Sequence, residues 1–204
     1  MKIKVDLHIH STYSGDSTLT VDEIVSYYAL NGYHAIAITD HDSFRGAIEA
    51  RKIVREMNLN LIVILGAEVS TIEGELVVLS DIELPYLPSR AEELINLTRK
   101  SGGITYAPHP YDETRHSLKD QLFELKNLDA IEVLNCTSNP KFNSMAMRAA
   151  RILNKPGIAN SDAHSPIEIG RAETILEVRE LSIKEVFRAI KHNRILRRRC
   201  IQRA

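Results

Sequence analysis

Short runs of apolar residues alternate along the chain with longer segments in which apolar residues recur three or four positions apart. Runs of about four to eight apolar residues are typical of buried strands, and the longer pattern is typical of amphipathic helices. The predicted strands cover residues 3–8, 35–39, 61–65, 76–79, 104–107, 130–134, 157–160 and 174–178. The predicted helices lie between them, at residues 20–30, 44–57, 89–100, 118–125, 142–153 and 183–191. This alternation predicts βα units built on a parallel sheet.

Helix-start signals support this division of the chain. Thr20 is followed three residues later by Glu23, the pattern of a capping box, and Ser89 with Glu92 repeats it. About seven βα units follow one another with no break in composition, which is typical of a barrel rather than an open sheet. We therefore expect a single α/β domain over residues 1–204.

The composition is that of an ordinary globular protein. Hydrophobic residues make up 44% and charged residues 26% of the chain, which excludes intrinsic disorder. The net charge of -1 gives no whole-molecule attraction to nucleic acid, so anion binding must come from a local site. The first residues lack an apolar targeting segment, and no stretch approaches about 18 uncharged apolar residues. We expect a soluble cytoplasmic protein with no membrane association.

Two cysteines and one basic run complete the bulk features. Cys136 and Cys200 cannot build a disulfide framework and lack metal-ligand spacing, so we expect plain thiols in a reducing cytosol. Residues 194–203 include three consecutive arginines, Arg197 to Arg199. Such a run is typical of a solvated helix end, although it is also the one feature that favours an RNA-binding partner.

Histidines and carboxylates cluster where the predicted strands end. The first cluster contains Asp6, His8 and His10. Alternate residues of a strand share one face, so we expect these three side chains to point the same way. Two neighbouring imidazoles can bind one divalent ion, and a nearby carboxylate can orient a ring through its second nitrogen.

The next two strand ends carry similar residues. His41 lies between Asp40 and Asp42, directly after an apolar run, where the carboxylates could support or join a metal site. Glu68 ends another buried run, and a carboxylate there is costly unless it is paired or binds a metal. Each of these signals alone is also compatible with a turn or an ion pair.

Two later strand ends complete the pattern. His109 stands between two prolines, which fix the backbone direction around it, and Asp162 and His164 are again two residues apart. The candidate metal ligands are thus His8, His10, His41, Glu68, His109, Asp162 and His164. Nitrogen and oxygen donors without cysteine suit zinc, manganese or iron, and seven ligands exceed the needs of one ion. The sequence predicts two or three divalent ions.

These motifs, taken in order, resemble the PHP (polymerase and histidinol phosphatase) superfamily. They are DLHIHS at 6–11, ITDHDS at 38–43, GAE at 66–68, PHP at 108–110 and SDAH at 161–164. The resemblance implies a distorted (βα)7 barrel with its metal site at the C-terminal ends of the strands. It also implies phosphoesterase chemistry, in which a metal-bound water attacks phosphorus while the ions hold the phosphate oxygens.

Two positions depart from the family pattern. Many members have an aspartate ligand five residues after the second histidine, where this chain has Gly15 followed by Asp16. Members with a complete three-metal site carry a histidine in the strand after the glutamate, where Glu75 is the nearest candidate here. The filling of a third site therefore depends on Asp16 and Glu75.

The remaining candidate residues concern substrate and proton transfer. We expect Arg115, with Arg45 and Arg171 in reserve, to bind a phosphate, unless Arg115 pairs with Asp112 or Glu113 on the surface. His116 or Asp16 could protonate the leaving alcohol. His34 and His192, by contrast, are expected to be structural or solvated.

The favoured function is hydrolysis of a small phosphate monoester. The alternatives are an exonuclease or phosphodiesterase acting on nucleic acid, and a non-catalytic subunit of an RNA–protein assembly. The chain has no tryptophan and four phenylalanines, so it offers few stacking platforms for single strands. A degenerate subunit would have lost ligands, and the central ones are all present.

Overall fold

The computed structural model describes residues 1–201, which contain nine strands and five helices. The strands are β1 Lys2–Asp6, β2 Ala35–Ile38, β3 Ile62–Ser70, β4 Glu75–Ser80, β5 Ile104–Ala107, β6 Ala130–Asn135, β7 Gly157–Asn160, β8 Ala172–Glu177 and β9 Ile195–Cys200. The helices are α1 Val21–Leu30, α2 Arg45–Glu56, α3 Ala91–Lys100, α4 Pro140–Ile152 and α5 Ile183–Lys191. Short 3-10 turns occur at Thr12–Ser14 and Lys119–Phe123.

The strands form one mixed sheet in the order β7-β6-β5-β4-β3-β2-β1-β8-β9. Strands β1 to β3 are parallel to one another, and so are β5 to β7. Strand β4 is antiparallel to both neighbours, and β8 is antiparallel to β1 and β9. The predicted parallel sheet is therefore found for β1 to β3 and β5 to β7, and the prediction is wrong at β4 and β8. For β4 the reason is the link of residues 71–74, which is too short for a crossover and permits only a hairpin.

The sheet curls into a nearly closed barrel. Beyond the ends of β1 and β7, the Asp162 N–H donates to the His8 carbonyl at 2.9 Å, and the His10 N–H donates to the Ala163 carbonyl at 3.0 Å. The Thr174 hydroxyl of β8 also bonds to the main chain of Ala159 in β7, at 2.8 and 2.9 Å. These bonds join the two sides of the sheet. The predicted distorted α/β barrel is confirmed.

Two apolar layers lie on the two faces of the sheet. The inner one includes Val5, Leu7, Ile64 and Tyr106, and helix α5 packs against it through Val186 and its neighbours. The outer one fills the space between the sheet and helices α1 to α4. With both faces of the sheet covered, strand side chains are almost continuously buried, which is why the strands read as unbroken apolar runs.

The predicted helix starts and the predicted helix at 118–125 are only partly found in the structure. The capping box of Thr20 and Glu23 is confirmed. The helix expected at 118–125 is a 3-10 turn at Lys119–Phe123, and Ser89 does not cap α3. Instead the first N–H of α3 donates to the carboxylate of Glu73 from the β3–β4 link, at 2.9 Å. Glu73 thus caps the start of α3, the role that the sequence spacing assigned to Ser89.

The C-terminal segment corrects two predictions. Residues 195–200 form strand β9 rather than a solvated helix end, and residues 202 and 203 of the basic run lie outside the described residues. Cys136 and Cys200 are joined in a disulfide, so the expected free thiols, and the reducing compartment inferred from them, lose their support. The antiparallel pairing of β9 with β8 sets Cys200 opposite Ala172 and brings it to Cys136. Separately, none of the described helices is long and apolar enough to cross a bilayer.

Candidate metal centre

His8 and His10 lie just beyond β1, at the end of the barrel where the parallel strands finish. Their Nε2 atoms are 3.1 Å apart, and both side chains are fully buried. Because the two buried imidazoles turn their ring nitrogens toward each other, the space between and around these nitrogens is polar. This pair is therefore the centre around which the other polar groups gather.

Asp6 does not join this pair, contrary to the expectation of a shared strand face. Its carboxylate accepts hydrogen bonds from the Tyr28 hydroxyl at 2.7 Å and the Ser161 N–H at 3.1 Å. Strand β1 ends at Asp6, so the alternation that the prediction assumed stops before His8. Burial raises the pKa of Asp6 to about 6, even with hydrogen bonds from Tyr28 and Ser161 opposing the rise. Asp6 anchors helix α1 to the loop that carries Asp162.

Two buried carboxylates complete the inner cluster. Glu68 Oε2 is 3.3 Å from His8 Nε2 and 3.2 Å from His10 Nε2, and Asp162 Oδ1 is 3.3 Å from each of these nitrogens. Both of these carboxylate oxygens lack a hydrogen-bond partner among the described residues. Buried oxygens are rarely left unpaired in proteins. Four potential metal-ligand atoms therefore converge here, and two of them are carboxylate oxygens without a hydrogen-bond partner. This is the arrangement expected around a cation.

Glu68 also reaches two further histidines. Its Oε1 is 2.9 Å from His109 Nε2, and its Oε2 is 3.4 Å from His41 Nδ1. His109 has a φ of 23°, and its N–H donates to Glu132 at 2.8 Å, so its backbone is fixed as well as its ring. The two oxygens of Glu68 thus face different histidines, as a carboxylate that bridges two ions would.

A second, more exposed group lies beside the first. Asp16 Oδ2 is 3.0 Å from His41 Nε2 and 3.4 Å from His164 Nε2, and the ring of His164 stacks on that of His10 with centroids 4.1 Å apart. The candidate ligand atoms of His10, Asp16, His41 and His164 lie within 4.8 Å of one another. The loop after Gly15, which departs from the family spacing, therefore brings Asp16 to the cluster. The carboxylates beside His41 do not join, because Asp40 accepts from Ser11 and Asp42 accepts from the Ser70 N–H.

The second ring nitrogen of each inner histidine has its own partner. His8 Nδ1 is 3.1 Å from Glu132 Oε1, and His10 Nδ1 is 2.8 Å from the Ser14 hydroxyl. Such partners fix ring orientation in metal sites. Glu132 is fully buried, and the sequence reasoning missed it. The available signal was a charged residue within the apolar run of β6, which is costly unless it is paired.

The electrostatics of the cluster call for positive charge at its centre. Burial alone would raise the pKa values of Glu68 and Asp162, but the charge of His8 and the close approach of the His10 ring hold both well below their usual range. Burial alone would lower the pKa of His10, but Asp162 and Glu68 raise it to about 9. Buried carboxylates need a cation between them, and imidazolium groups or divalent ions can supply it.

Glu75 and His116 lie next to this cluster. Burial, followed by the negative charge of Glu68, raises the pKa of Glu75, and Glu75 Oε2 has no hydrogen-bond partner among residues 1–201. The Glu75 N–H donates to the His116 carbonyl at 2.8 Å, while the His116 side chain is exposed. Glu75 therefore borders the cluster and His116 meets Glu75 through the main chain, but neither has its side chain among the groups of converging ligand atoms in the described part of the chain.

The three candidate arginines have different surroundings. The Arg115 Nη2 is 3.1 Å from Asp162 Oδ2, so its guanidinium meets the cluster rather than Asp112 or Glu113. Arg45 is exposed at the start of α2, and Arg171 lines a separate cavity beside the disulfide. Within residues 1–201, neither of these two forms an ion pair with a cluster carboxylate. Histidines His34 and His192 also lie away from the cluster, with His34 Nδ1 accepting from the Lys4 N–H at 3.1 Å.

The donor set fits divalent metal ions. The inner groups, His8 with His10 and Asp162 and His8 with Glu68 and His109, each offer converging buried ligand atoms. Imidazole nitrogens with carboxylate oxygens and no thiolate suit zinc, manganese or iron(II). The unpaired oxygens of Glu68 and Asp162 are the positions at which such an ion would replace a missing hydrogen-bond donor.

Comparison with known proteins identifies the family of this chain. Residues 6–154 match the family described as PHP domain, and residues 140–195 match the family described as PHP-associated. An uncharacterized protein of Methanocaldococcus jannaschii is 36% identical over 146 residues, which are 65% of this chain and 82% of that protein. The PHP match extends over well more than half of the chain, which is enough to assign the family.

Two solved structures share the fold at low identity. A two-domain protein from Bacteroides vulgatus, described as containing a predicted PHP-like metal-dependent phosphoesterase, superposes over 96% of this chain with a TM-score of 0.77 and 20% identity. A lesion-specific endonuclease from Pyrococcus furiosus superposes over 97% of this chain with a TM-score of 0.69 and 20% identity. This chain spans 64% and 58% of those two proteins. The chain belongs to the PHP domain family.

Proposed function

We propose that this protein hydrolyses phosphate monoesters of small molecules, using two or three divalent ions held at the barrel end. The observation that carries the proposal is the convergence of His8, His10, Glu68 and Asp162 on two buried carboxylate oxygens that lack hydrogen-bond donors. Those oxygens face imidazole nitrogens of His8 and His10 and accept no hydrogen bond from a main-chain or hydroxyl donor, which suits a site that holds cations.

The proposed ligands form three overlapping groups, which are His8 with His10 and Asp162, His8 with Glu68 and His109, and His10 with Asp16, His41 and His164. Because a ring nitrogen binds a single ion, His8 and His10 would each belong to only one of the two or three ions held by these groups. We therefore assign Asp16 to metal binding rather than to proton transfer, and Glu75 to the edge of the site. When bound, zinc, manganese or iron ions supply Lewis acidity that activates a water molecule and offsets charge on the phosphoryl oxygens.

The chain's own residues supply positioning and a proton. The Arg115 guanidinium, at 3.1 Å from Asp162, would hold an outer phosphate oxygen against the cluster, because its planar fork matches that geometry. His116, which is exposed and adjoins Glu75, is the residue we propose to protonate the leaving oxygen. No serine, threonine or cysteine of the site is needed as a nucleophile.

The surroundings of the site favour a small substrate over a long nucleic acid. Strands of nucleic acid are bound through basic tracks with interleaved aromatic rings. Here the carboxylates of Asp16 and Glu75 border the cluster, and Arg197 and Arg199 pair with Glu173 instead of remaining free. A nuclease remains the alternative that the substrate experiment must test.

The experiment is a phosphate-release and cleavage screen with zinc, manganese and iron(II) supplied in turn. The panel contains nucleoside monophosphates, sugar and amino-alcohol phosphates, an aryl monoester, the matching aryl diester and a single-stranded oligonucleotide. We expect chelator-sensitive release from monoesters that exceeds diester and oligonucleotide cleavage. Preferential cleavage of the diester or the oligonucleotide would replace the phosphatase proposal with the nuclease alternative.

A further inference from the structure

A basic pocket lies on the barrel away from the candidate metal centre, near the start of strand β7. It is a cavity of about 280 Å³ whose polar lining consists of Arg151, Asn154, Lys155, Asn193 and Arg198. The floor includes Gly157, the first residue of β7, whereas the metal cluster follows the last residue of the same strand. The pocket is therefore separate from the site described above.

The three cations of the basic pocket lack carboxylate partners. Within residues 1–201, neither Arg151, Lys155 nor Arg198 forms an ion pair within 4 Å, and no Asp or Glu lines the cavity. Lys155 does interact at longer range with Asp129, whose nearer partner is Lys191 at 3.7 Å. Three like charges around one cavity repel one another, and an anion between them would relieve that repulsion.

Strand geometry explains why Arg198 differs from its neighbours. Successive residues of a strand point to opposite faces, and Arg197 and Arg199 both pair with Glu173 of β8. Arg198 points the other way, and its Nη1 donates to the Gly157 carbonyl at 3.3 Å. One bond to a carbonyl leaves most of the guanidinium donors of Arg198 available, and the disposition of β9 directs them into the pocket.

The remaining lining groups are also hydrogen-bond donors. Asn154 and Asn193 each follow the end of a helix, α4 and α5, and adopt positive φ values of 50° and 51°. Gly157 leaves no space for a side chain, because a Cβ there would lie 2.7 Å from Val133. The side-chain amides of Asn154 and Asn193 thus add donors of the kind that bind tetrahedral oxyanions.

We propose that the basic pocket is a second anion site that binds a phosphate group, either free phosphate or one phosphodiester of a nucleic-acid strand. Guanidinium forks with amide donors and no acidic lining select a phosphate oxyanion over a cation or an apolar ligand. This inference does not depend on the proposed reaction, since none of the pocket residues belongs to the metal cluster.

The test follows backbone amide resonances of the zinc-loaded full chain during titration with inorganic phosphate. Amides of Asn154, Gly157 and Asn193 report on the basic pocket, while amides near Asp162 report separately on the metal centre. We expect saturable shifts at the basic pocket, and an affinity at least about tenfold lower in Arg198→Gln and in Lys155→Gln. A parallel titration with a single-stranded oligonucleotide identifies the source of the phosphate, because a strand would bind more tightly and with a steeper salt dependence.

Two matched variants serve as controls. Arg148→Gln removes an exposed cation from α4 that does not line the cavity, and Arg197→Gln removes a cation already paired with Glu173. Both should bind phosphate as the unaltered protein does. Absence of saturable shifts with both probes would overturn the proposal, as would equal weakening by Arg148→Gln. The amide shifts do not depend on turnover, so they would still test the basic pocket if the phosphatase proposal failed.

Discussion

Glu132 illustrates what the sequence could and could not predict about single residues. The seven predicted ligands all meet in the structure, because strand ends of parallel βα units converge at one end of a barrel. Glu132 was missed because it supports a ring from inside the sheet, and its partners, His8 after β1 and His109 after β5, come together with it only in the folded barrel. The prediction that Asp6 joins the cluster was wrong because it extended the alternation of strand side chains past Asp6, the last residue of β1.

The support that Glu132 gives can be measured. Glu132→Ala removes the carboxylate that contacts His8 Nδ1 at 3.1 Å and accepts from the His109 N–H at 2.8 Å. We expect roughly 10- to 100-fold weaker zinc binding, which is typical when such a supporting group is lost. Isothermal titration with zinc measures it, and Glu124→Ala, at an exposed position, is the control. Unchanged affinity in Glu132→Ala would mean that the carboxylate has only a packing role.

Arg115 tests the assignment of the phosphate-binding residue. If its guanidinium holds a phosphate oxygen, Arg115→Ala should raise KM for the best monoester about tenfold or more, a loss of about 1.4 kcal/mol. Arg115→Lys should recover part of that loss, because the charge remains while the fork does not. Arg45→Ala, at the exposed start of α2, should leave KM unchanged. Steady-state kinetics that gave the same KM for Arg115→Ala and the unaltered enzyme would remove Arg115 from the site.

At the scale of whole elements, the positions of eight strands were predictable, and so were the directions of all of them except β4 and β8. Each apolar run is marked by its own residues, but direction depends on connections. The short link before β4 enforces a hairpin, and β8 pairs with β1 across most of the chain length. Strand β9 was hidden because its arginines look like a solvated run until Glu173 of β8 pairs with two of them. The disulfide could not be predicted because it depends on that unpredicted strand.

The disulfide should contribute measurably to stability. It links residues 64 positions apart, and closing a loop of that length restricts the unfolded chain by about 4 kcal/mol. We therefore expect Cys200→Ser to lower the free energy of unfolding by a similar amount in urea denaturation. The double variant with Cys136→Ser and Cys200→Ser should have the same free energy of unfolding as the single variant. Reductant should lower the free energy of unfolding of the unaltered protein and leave that of the variants unchanged. Equal denaturation midpoints for the oxidised and reduced unaltered protein would show that the link adds nothing.

At the scale of the whole molecule, metal binding and folding should be linked. The cluster joins β3 to the segments that follow β1, β2, β5 and β7, so ions held there stabilise the native barrel against the unfolded chain. An ion present at a thousand times its Kd adds about 4 kcal/mol of stability. We expect chelator to lower Tm and resupplied zinc or manganese to restore it, measured by calorimetry. A Tm that did not respond to either treatment would argue against tight binding at the cluster.

The most direct test of the central claim combines metal content with turnover in the unaltered protein and in Asp162→Asn. The change removes one negative charge from the carboxylate that faces both His8 and His10, and asparagine tolerates the positive φ of 51° at this position. We predict two or three ions per chain and monoester hydrolysis for the unaltered protein. For the variant we predict fewer ions and a loss of turnover, with a native circular dichroism spectrum. Full metal content and full turnover in Asp162→Asn would contradict the assignment of the barrel-end cluster as the metal-dependent phosphoesterase site.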